Sequence, residues 1–303
     1  MILLTGASGF IGQHLHAALI TRYGIDNILS LTSTPNMSSP YLLHNDYRFE
    51  KEYFMESGYG NSIDTIIHAG AYTPKNASRA NDWQKCGENI YNTEKLLQAD
   101  LPNLRKVIYL STLDVYGKAD LISESSLIEP ASLYGYSKLY GEKMIEAWAN
   151  EKDKSFHILR VGHVYGPGEE AYQKIIPVTI KKIINEEPVQ IWGSGNELRS
   201  FIYIKDVIDC IISSLSLDSN VGPINLVGSN PISISELVKM LFMIIGKSIN
   251  IETMPGTAQG RSFVFDNSKM KQYLLPDTPE TELATGLREE WKHMTKDNGK
   301  YIF

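Results

Sequence analysis

Tyr134 and Lys138 stand four residues apart in the segment Leu-Tyr-Gly-Tyr-Ser-Lys. On a helix that spacing is close to one turn, so phenol and ammonium share a face. A free tyrosine titrates at about 10, too high for efficient proton transfer at neutral pH, and a neighbouring ammonium favours its phenolate. The same pattern also arises by chance on amphipathic surface helices. Tyr136 is the rival phenol, but it is two residues from Lys138 and points elsewhere. Upstream, residues 107–117 run from an apolar stretch into a polar loop. The hydroxyl of Thr112 there either caps the end of a strand or hydrogen-bonds a substrate carbonyl or alcohol. Together these groups suit proton transfer at a carbon–oxygen bond.

A second constellation lies at the start of the chain. Residues 5–12 read Thr-Gly-Ala-Ser-Gly-Phe-Ile-Gly. Gly6, Gly9 and Gly12 permit a tight turn, close approach of backbone to a pyrophosphate, and close helix packing. The helix that follows offers free N–H groups and a positive dipole end to phosphates. Ser8, Phe10 and Ile11 fill out this turn. A glycine-rich structural turn is the plain alternative; the position at the first strand–helix junction favours the cofactor reading. An acid closing the second strand would bind a ribose 2′-hydroxyl and favour NAD. Residues 29–34 read Leu-Ser-Leu-Thr-Ser-Thr, with no carboxylate. Short hydroxyls such as Thr32 suit a 2′-phosphate, so NADP is favoured with NAD as the alternative; no arginine stands beside them. Asp46 is placed near the adenine, or else is a solvated loop acid.

The elements that must position these groups follow from apolar periodicity. Residues 1–4, 28–31, 65–68, 107–110 and 157–161 are short apolar runs that read as buried strands. Residues 10–20, 88–99 and 133–150 carry helical patterns between them. The alternation predicts an α/β fold with a doubly wound parallel sheet. After Gly166-Pro167-Gly168 the pattern changes. Helices are expected at 175–185 and from 206, strands at 189–192, 201–204 and 224–227. Ser233 and Glu236 form a capping-box pair that opens a helix to 245. The tail from 247 reads as less regular. The expected division is a dinucleotide domain of residues 1–165 and 201–227, and a substrate lobe of 166–200 and 228–303.

Bulk properties fit an ordinary globular chain of 303 residues, 43% hydrophobic and 21% charged. A net charge of -6 argues against a nucleic-acid partner. No apolar run reaches membrane-spanning length, and no secretory leader is recognisable, so a cytoplasmic location is expected by default. Cys86 and Cys210 are far apart in no metal-type spacing, which fits a reduced compartment and no metal site.

The motifs TGASGFIG (5–12), HAGA (68–71), STLDVYG (111–117), YGYSK (134–138), RVGHVYGPG (160–168) and GSGNELRSFIYIKDV (193–207) occur in this order. Over essentially the whole chain they resemble the extended short-chain dehydrogenase family, the NAD-dependent epimerases, dehydratases and reductases of sugar nucleotides. The resemblance implies a Rossmann domain with a smaller C-terminal lobe closing over a nucleotide sugar. It implies a Thr112–Tyr134–Lys138 triad, with Lys138 also holding the nicotinamide ribose and Ala69 beside the cofactor. Substrate contacts implied are Asn89 lining the site, Trp192 against the base, and Arg199 and Arg261 on the diphosphate. His163 stands where asparagine is common, and is read as a diphosphate or sugar contact. A homodimer through two helices per subunit, including 133–150, is also implied.

Departures from the family pattern narrow the reaction. Leu113 follows Thr112 where 4,6-dehydratases carry an aspartate acid, which disfavours dehydration. Asp114 falls where other members hold an acid/base group; it either moves a ring proton or binds a sugar hydroxyl. Residues 71–76, with Thr73 as a substrate contact, resemble those of bacterial deoxysugar reductases. The expected reaction is NADPH-dependent reduction of a 4-keto-6-deoxy sugar nucleotide in deoxysugar and O-antigen lipopolysaccharide biosynthesis. A C4 epimerase with bound NAD is the alternative, and a non-catalytic dinucleotide-binding regulator the remote one.

Overall fold

A computed structural model of the chain describes residues 1–35, 37–255 and 262–296. Its strands in chain order are β1 (Ile2–Thr5), β2 (Ile28–Thr32), β3 (Tyr41–Leu43), β4 (Thr65–His68), β5 (Lys106–Thr112), β6 (Ser155–Val161), β7 (His163–Tyr165), β8 (Val189–Trp192), β9 (Leu198–Arg199), β10 (Phe201–Tyr203), β11 (Ile224–Leu226), β12 (Ile232–Ser233) and β13 (Ile251–Met254). The helices are α1 (Phe10–Tyr23), α2 (Tyr53–Glu56), α3 (Trp83–Gln98), α4 (Leu133–Lys152), α5 (Ile175–Ile184), α6 (Ile204–Ser214), α7 (Ile234–Ile245), α8 (Ser268–Tyr273) and α9 (Leu283–Lys296).

Seven strands form one sheet in the order β11-β6-β5-β4-β1-β2-β3. Every neighbouring pair in it is parallel. Strands β1 and β2 are buried at every residue, which is why they read as unbroken apolar runs and not as alternation. One face of the sheet packs Leu15 and Leu19 of α1 and Val207 and Ile211 of α6 over Ile28, Ile67 and Ile108. The other packs Leu96 of α3 and Ile145 and Ala149 of α4 over Leu3, Leu29 and Val107. Each fully buried Leu or Ile of this kind contributes about 1.5–3 kcal/mol. The strand order reverses between β1 and β4, and their carboxyl ends part there into a crevice.

A second core holds Ile180 and Ile183 of α5, Leu237 and Leu241 of α7, and Leu287 of α9 against β8. Helix α7 opens on the expected capping box. The Ser233 hydroxyl accepts from the Glu236 N–H at 3.2 Å, and the Glu236 carboxylate accepts from the Ser233 N–H at 3.1 Å.

Three elements differ from the sequence expectation. Helix α3 begins at Trp83, not at 88, because Asp82 caps it by accepting from the Lys85 N–H at 3.1 Å. The three-residue edge strand β3 lies between residues 31 and 65, where no strand was expected. The tail is more regular than expected, with β13, α8 and α9. Met270, Leu274 and Leu275 from this tail pack into the core beneath the main sheet. Among the described residues no helix is long and apolar enough to cross a membrane.

Candidate active site

The glycine turn follows β1 and opens α1 at the crevice. Gly6 has a φ of +73°, a conformation that suits glycine. A Cβ on Gly6 would lie 2.6 Å from the Cα of Gly70, and one on Gly12 would collide with the Gly6 carbonyl oxygen. The turns after β1 and β4 therefore meet backbone on backbone. Bare N–H groups and the α1 N-terminus are left facing a cavity, which fits a pyrophosphate. Beneath them Thr5 and His68 brace the two turns. The Gly70 N–H donates to Thr5 Oγ1 at 2.9 Å, and Thr5 Oγ1 lies 2.8 Å from His68 Nδ1. Thr93 donates to the Asn89 carbonyl, so it accepts from His68 Nε2 at 3.1 Å, and Nδ1 must accept from Thr5. This fixes the tautomer. Burial, helped by the Lys138 charge, lowers the His68 pKa to about 3 and keeps the ring neutral.

The cavity has a volume of about 640 Å³, and Thr112, Asp114, Tyr134 and Lys138 line it together with Gly6, Gly9 and Gly12. Thr112 ends β5 and caps the next turn, its Oγ1 accepting from the Asp114 N–H at 3.2 Å. Its own hydroxyl proton faces the Asp114 carboxyl and the Tyr134 phenol, so a substrate oxygen would take it in exchange for one of these. Tyr134 lies in the first turn of α4. That turn is fixed from outside: the Tyr134 N–H donates to the Ala80 carbonyl at 3.0 Å and the Leu133 N–H to Asn81 at 2.9 Å. Burial pushes the Tyr134 phenol up, the Asp114 charge adds to this, and the hydroxyls of Thr73 and Thr112 act against it. The phenol is thereby kept in its proton-donating form. One turn on, Lys138 is buried with Nζ 4.2 Å from the centroid of the Tyr109 ring. Burial pulls its pKa down to about 7, and the Glu142 charge opposes this. Asp114 opens on the cavity, where water reaches it, but protein surrounds it on most other sides. That enclosure raises its carboxyl pKa, against the hydroxyl of Thr112.

Other predicted residues divide. Ser8, Phe10, Ile11, Ala69, Thr73 and His163 line the same cavity. Burial lowers the His163 pKa to about 4, and the Arg199 and Lys174 charges add to this. Asn89 does not line the cavity wall as expected. Its amide is committed to the Tyr72 backbone, at 2.7 and 3.1 Å, and to Ser137 at 3.2 Å. Thr32 and Asp46 lie away from the cavity lining, and the Thr32 hydroxyl accepts from the Thr34 N–H at 3.0 Å. Trp192 and Arg199 are also outside it. Trp192 is largely exposed at the end of β8, and Arg199 stacks on Phe263 at 4.9 Å and donates to the Leu198 carbonyl at 2.8 Å. Arg261 falls outside the described residues.

The model of the NAD dependent epimerase/dehydratase family matches residues 2–226. The chain belongs to this family. It is 29% identical to the uncharacterized UDP-glucose epimerase YtcB of Bacillus subtilis (strain 168), over 97% of this chain and 98% of that one. It is 26% identical to the dTDP-4-dehydro-6-deoxy-D-allose reductase of Streptomyces bikiniensis, over 97% of each. Among solved structures, the UDP-glucuronic acid 4-epimerase of Bacillus cereus, in complex with UDP-glucuronic acid and NAD, superposes with a TM-score of 0.84 at 28% identity, covering 97% of this chain and 99% of that one.

In this epimerase/dehydratase chain, sequence reasoning passed over several groups at the cavity. Gly70 supplies the second bare turn, and a glycine directly after an apolar strand was the available signal. Lys75 and Lys174 add positive charge to the lining. Asn76 and Gln173 join opposite walls, the Asn76 amide donating to Gln173 Oε1 at 3.1 Å and the Gln173 N–H to the Lys75 carbonyl at 3.4 Å. Nothing local marks that pairing, because the partners are ninety-seven residues apart.

Proposed function

We propose that this chain reduces a 4-keto-6-deoxy sugar nucleotide to the 4-hydroxy sugar with NADPH. The observation that carries the reading is the convergence of Thr112, Tyr134 and Lys138 on the cavity that also holds the glycine turn. The turn and the α1 N-terminus would hold the pyrophosphate of a dinucleotide, and Lys138 its nicotinamide ribose. When bound, that group supplies the hydride. Tyr134 gives its phenolic proton to the sugar oxygen, and the Thr112 hydroxyl holds that oxygen in place. Lys138 stabilises the phenolate left behind. Lys75 and Lys174 give the cavity an excess of positive charge in a chain of net charge -6, as an anionic ligand requires. The absence of a carboxylate in Thr32-Ser33-Thr34 supports NADP over NAD.

The test is oxidation of NADPH, read as falling absorbance, on adding a 4-keto-6-deoxy sugar nucleotide. A C4 epimerase is the second reading, supported by the likeness to the NAD-bound Bacillus cereus enzyme. If no keto substrate consumes NADPH while a 4-hydroxy sugar nucleotide is inverted without added cofactor, epimerisation replaces reduction.

We also propose that two copies pair through α3 and α4. The outward faces of these helices expose Trp83 and Tyr91, and Leu133, Tyr136 and Tyr140, at helical spacing. Trp83 is 78% exposed and Tyr140 56%, far more than a large aromatic favours in a lone subunit. Light scattering should give twice the 34.0 kDa of one chain, and the double substitution W83E/Y140E should halve it. A parent protein that scatters as a single chain at micromolar concentration would refute the pairing.

A further inference from the structure

Behind Lys138 lies a buried polar cluster that the reaction does not itself use. Tyr134, Lys138 and Glu142 follow one another at turns of α4, and all three are buried. Glu142 is gripped by Arg160 of β6 through two bonds, Nε to Oε1 at 2.9 Å and Nη2 to Oε2 at 2.7 Å. Ser111 of β5 donates to the same carboxylate at 2.5 Å. Arg160 also donates to the Tyr116 hydroxyl at 2.7 Å, and Tyr116 in turn to Asn225 at 2.7 Å. Helix α4 is thereby locked to three strands of the sheet directly behind the reacting centre.

We infer that Glu142 is a positioning residue whose fixed, Arg160-balanced charge sets the protonation of Lys138. No other described anion is placed to act on it in this way. From β5, Tyr109 presents a ring, and its buried hydroxyl is held neutral by burial and by the Glu142 charge. From β4, His68 is neutral. From α4 itself, Tyr134 is protonated, and Asp114, packed against the first turn of α4, has a carboxyl that burial drives toward the neutral form. Glu142 alone opposes the burial that strips Lys138 of its proton. Its carboxylate is held by Arg160 and Ser111, and among the described hydrogen bonds none joins it to Lys138; it acts through space in a dry interior, where such effects are strong. The bidentate grip holds the carboxylate at one distance, and the guanidinium offsets part of its field. An aspartate or an unpaired glutamate would not provide the same balance.

The inference rests on Lys138 acting at the reacting centre, but its test needs neither substrate nor dinucleotide. Its failure is therefore distinguishable from failure of the proposed reaction. In the ligand-free protein, the rate of Lys138 acetylation by acetic anhydride, followed at that residue by peptide mass spectrometry, rises as the amine loses its proton. Glu142→Gln should move the midpoint about one pH unit lower, a roughly tenfold smaller charged fraction above it. The double variant E142Q/R160M removes both charges and should place the midpoint between those of the single variant and the parent, because the guanidinium offsets only part of the carboxylate field. A role in packing alone predicts the reverse ranking, with the double variant no nearer the parent than the single. An unmoved midpoint in E142Q, or a double variant that sits at the parent midpoint or is displaced as far as the single, overturns the inference. Where E142Q does not fold, the double variant decides by itself: a midpoint lowered by a fraction of a unit supports the inference, and one unmoved or lowered by about a full unit overturns it.

Discussion

Tyr134→Phe is expected to lower turnover by about 10²–10⁴-fold, the usual worth of a positioned proton donor, while dinucleotide affinity stays nearly unchanged. The ring is buried in the first turn of α4, and phenylalanine fills the same space. Only the oxygen is lost, with its contacts to Thr73 and Thr112. The glycine turn lies on the opposite side of the cavity and does not depend on that oxygen. Steady-state kinetics gives the first quantity, and calorimetric titration with dinucleotide gives the second. Tyr136→Phe is the control: its side chain is exposed and should matter little to chemistry. Undiminished turnover in the Tyr134 variant would remove that residue from the reaction.

Gly12→Ala should act on binding before chemistry. The added methyl meets the Gly6 carbonyl oxygen, which is backbone and has no rotamer to escape into. Overpacking of this kind costs about 1–3 kcal/mol of stability. The atoms that must yield are those facing the pyrophosphate, so a comparable loss is expected in affinity. Two kcal/mol corresponds to about thirtyfold in Kd. Calorimetry and a thermal melt read both effects. Dinucleotide binding at the parent affinity in a stably folded variant would mean that the cofactor is not held at this turn.

How much could be read beforehand depended on how local each cause was. Strands β1, β2, β4 and β5 were legible because parallel strands buried on both faces leave largely apolar runs, whereas β6 carries His157 and Arg160 and is read from its place in the alternation. The capping box of α7 was legible for the same reason, since its four residues carry their own partners. Helix α9 was not, because the residues it buries are Gly286, Leu287 and Glu290, a face that does not read as apolar. The start of α3 was hidden by exposed Trp83, Gln84 and Gly87, although Asp82 was there as a cap. At the site, the Tyr134–Lys138 spacing is a property of one helix and could be seen directly. Asn89 has the opposite character. Its partners Tyr72 and Ser137 lie on other elements, so position in a family pattern could not reveal that its amide braces backbone instead of facing ligand. Trp192 and Arg199 sit on β8 and β9, and no spacing along the chain says how far those strands stand from the cavity.

The hydrogen bonds that join Asn76 and the Lys75 carbonyl to Gln173 bear on traffic in and out of the molecule. They tie together two segments that border the cavity. A catalyst that restores its own redox state within each cycle can leave that bridge shut indefinitely. One that consumes a fresh reductant every time must break it at every round if the nucleotide passes between these segments, and its top speed then cannot exceed the rate at which they come apart.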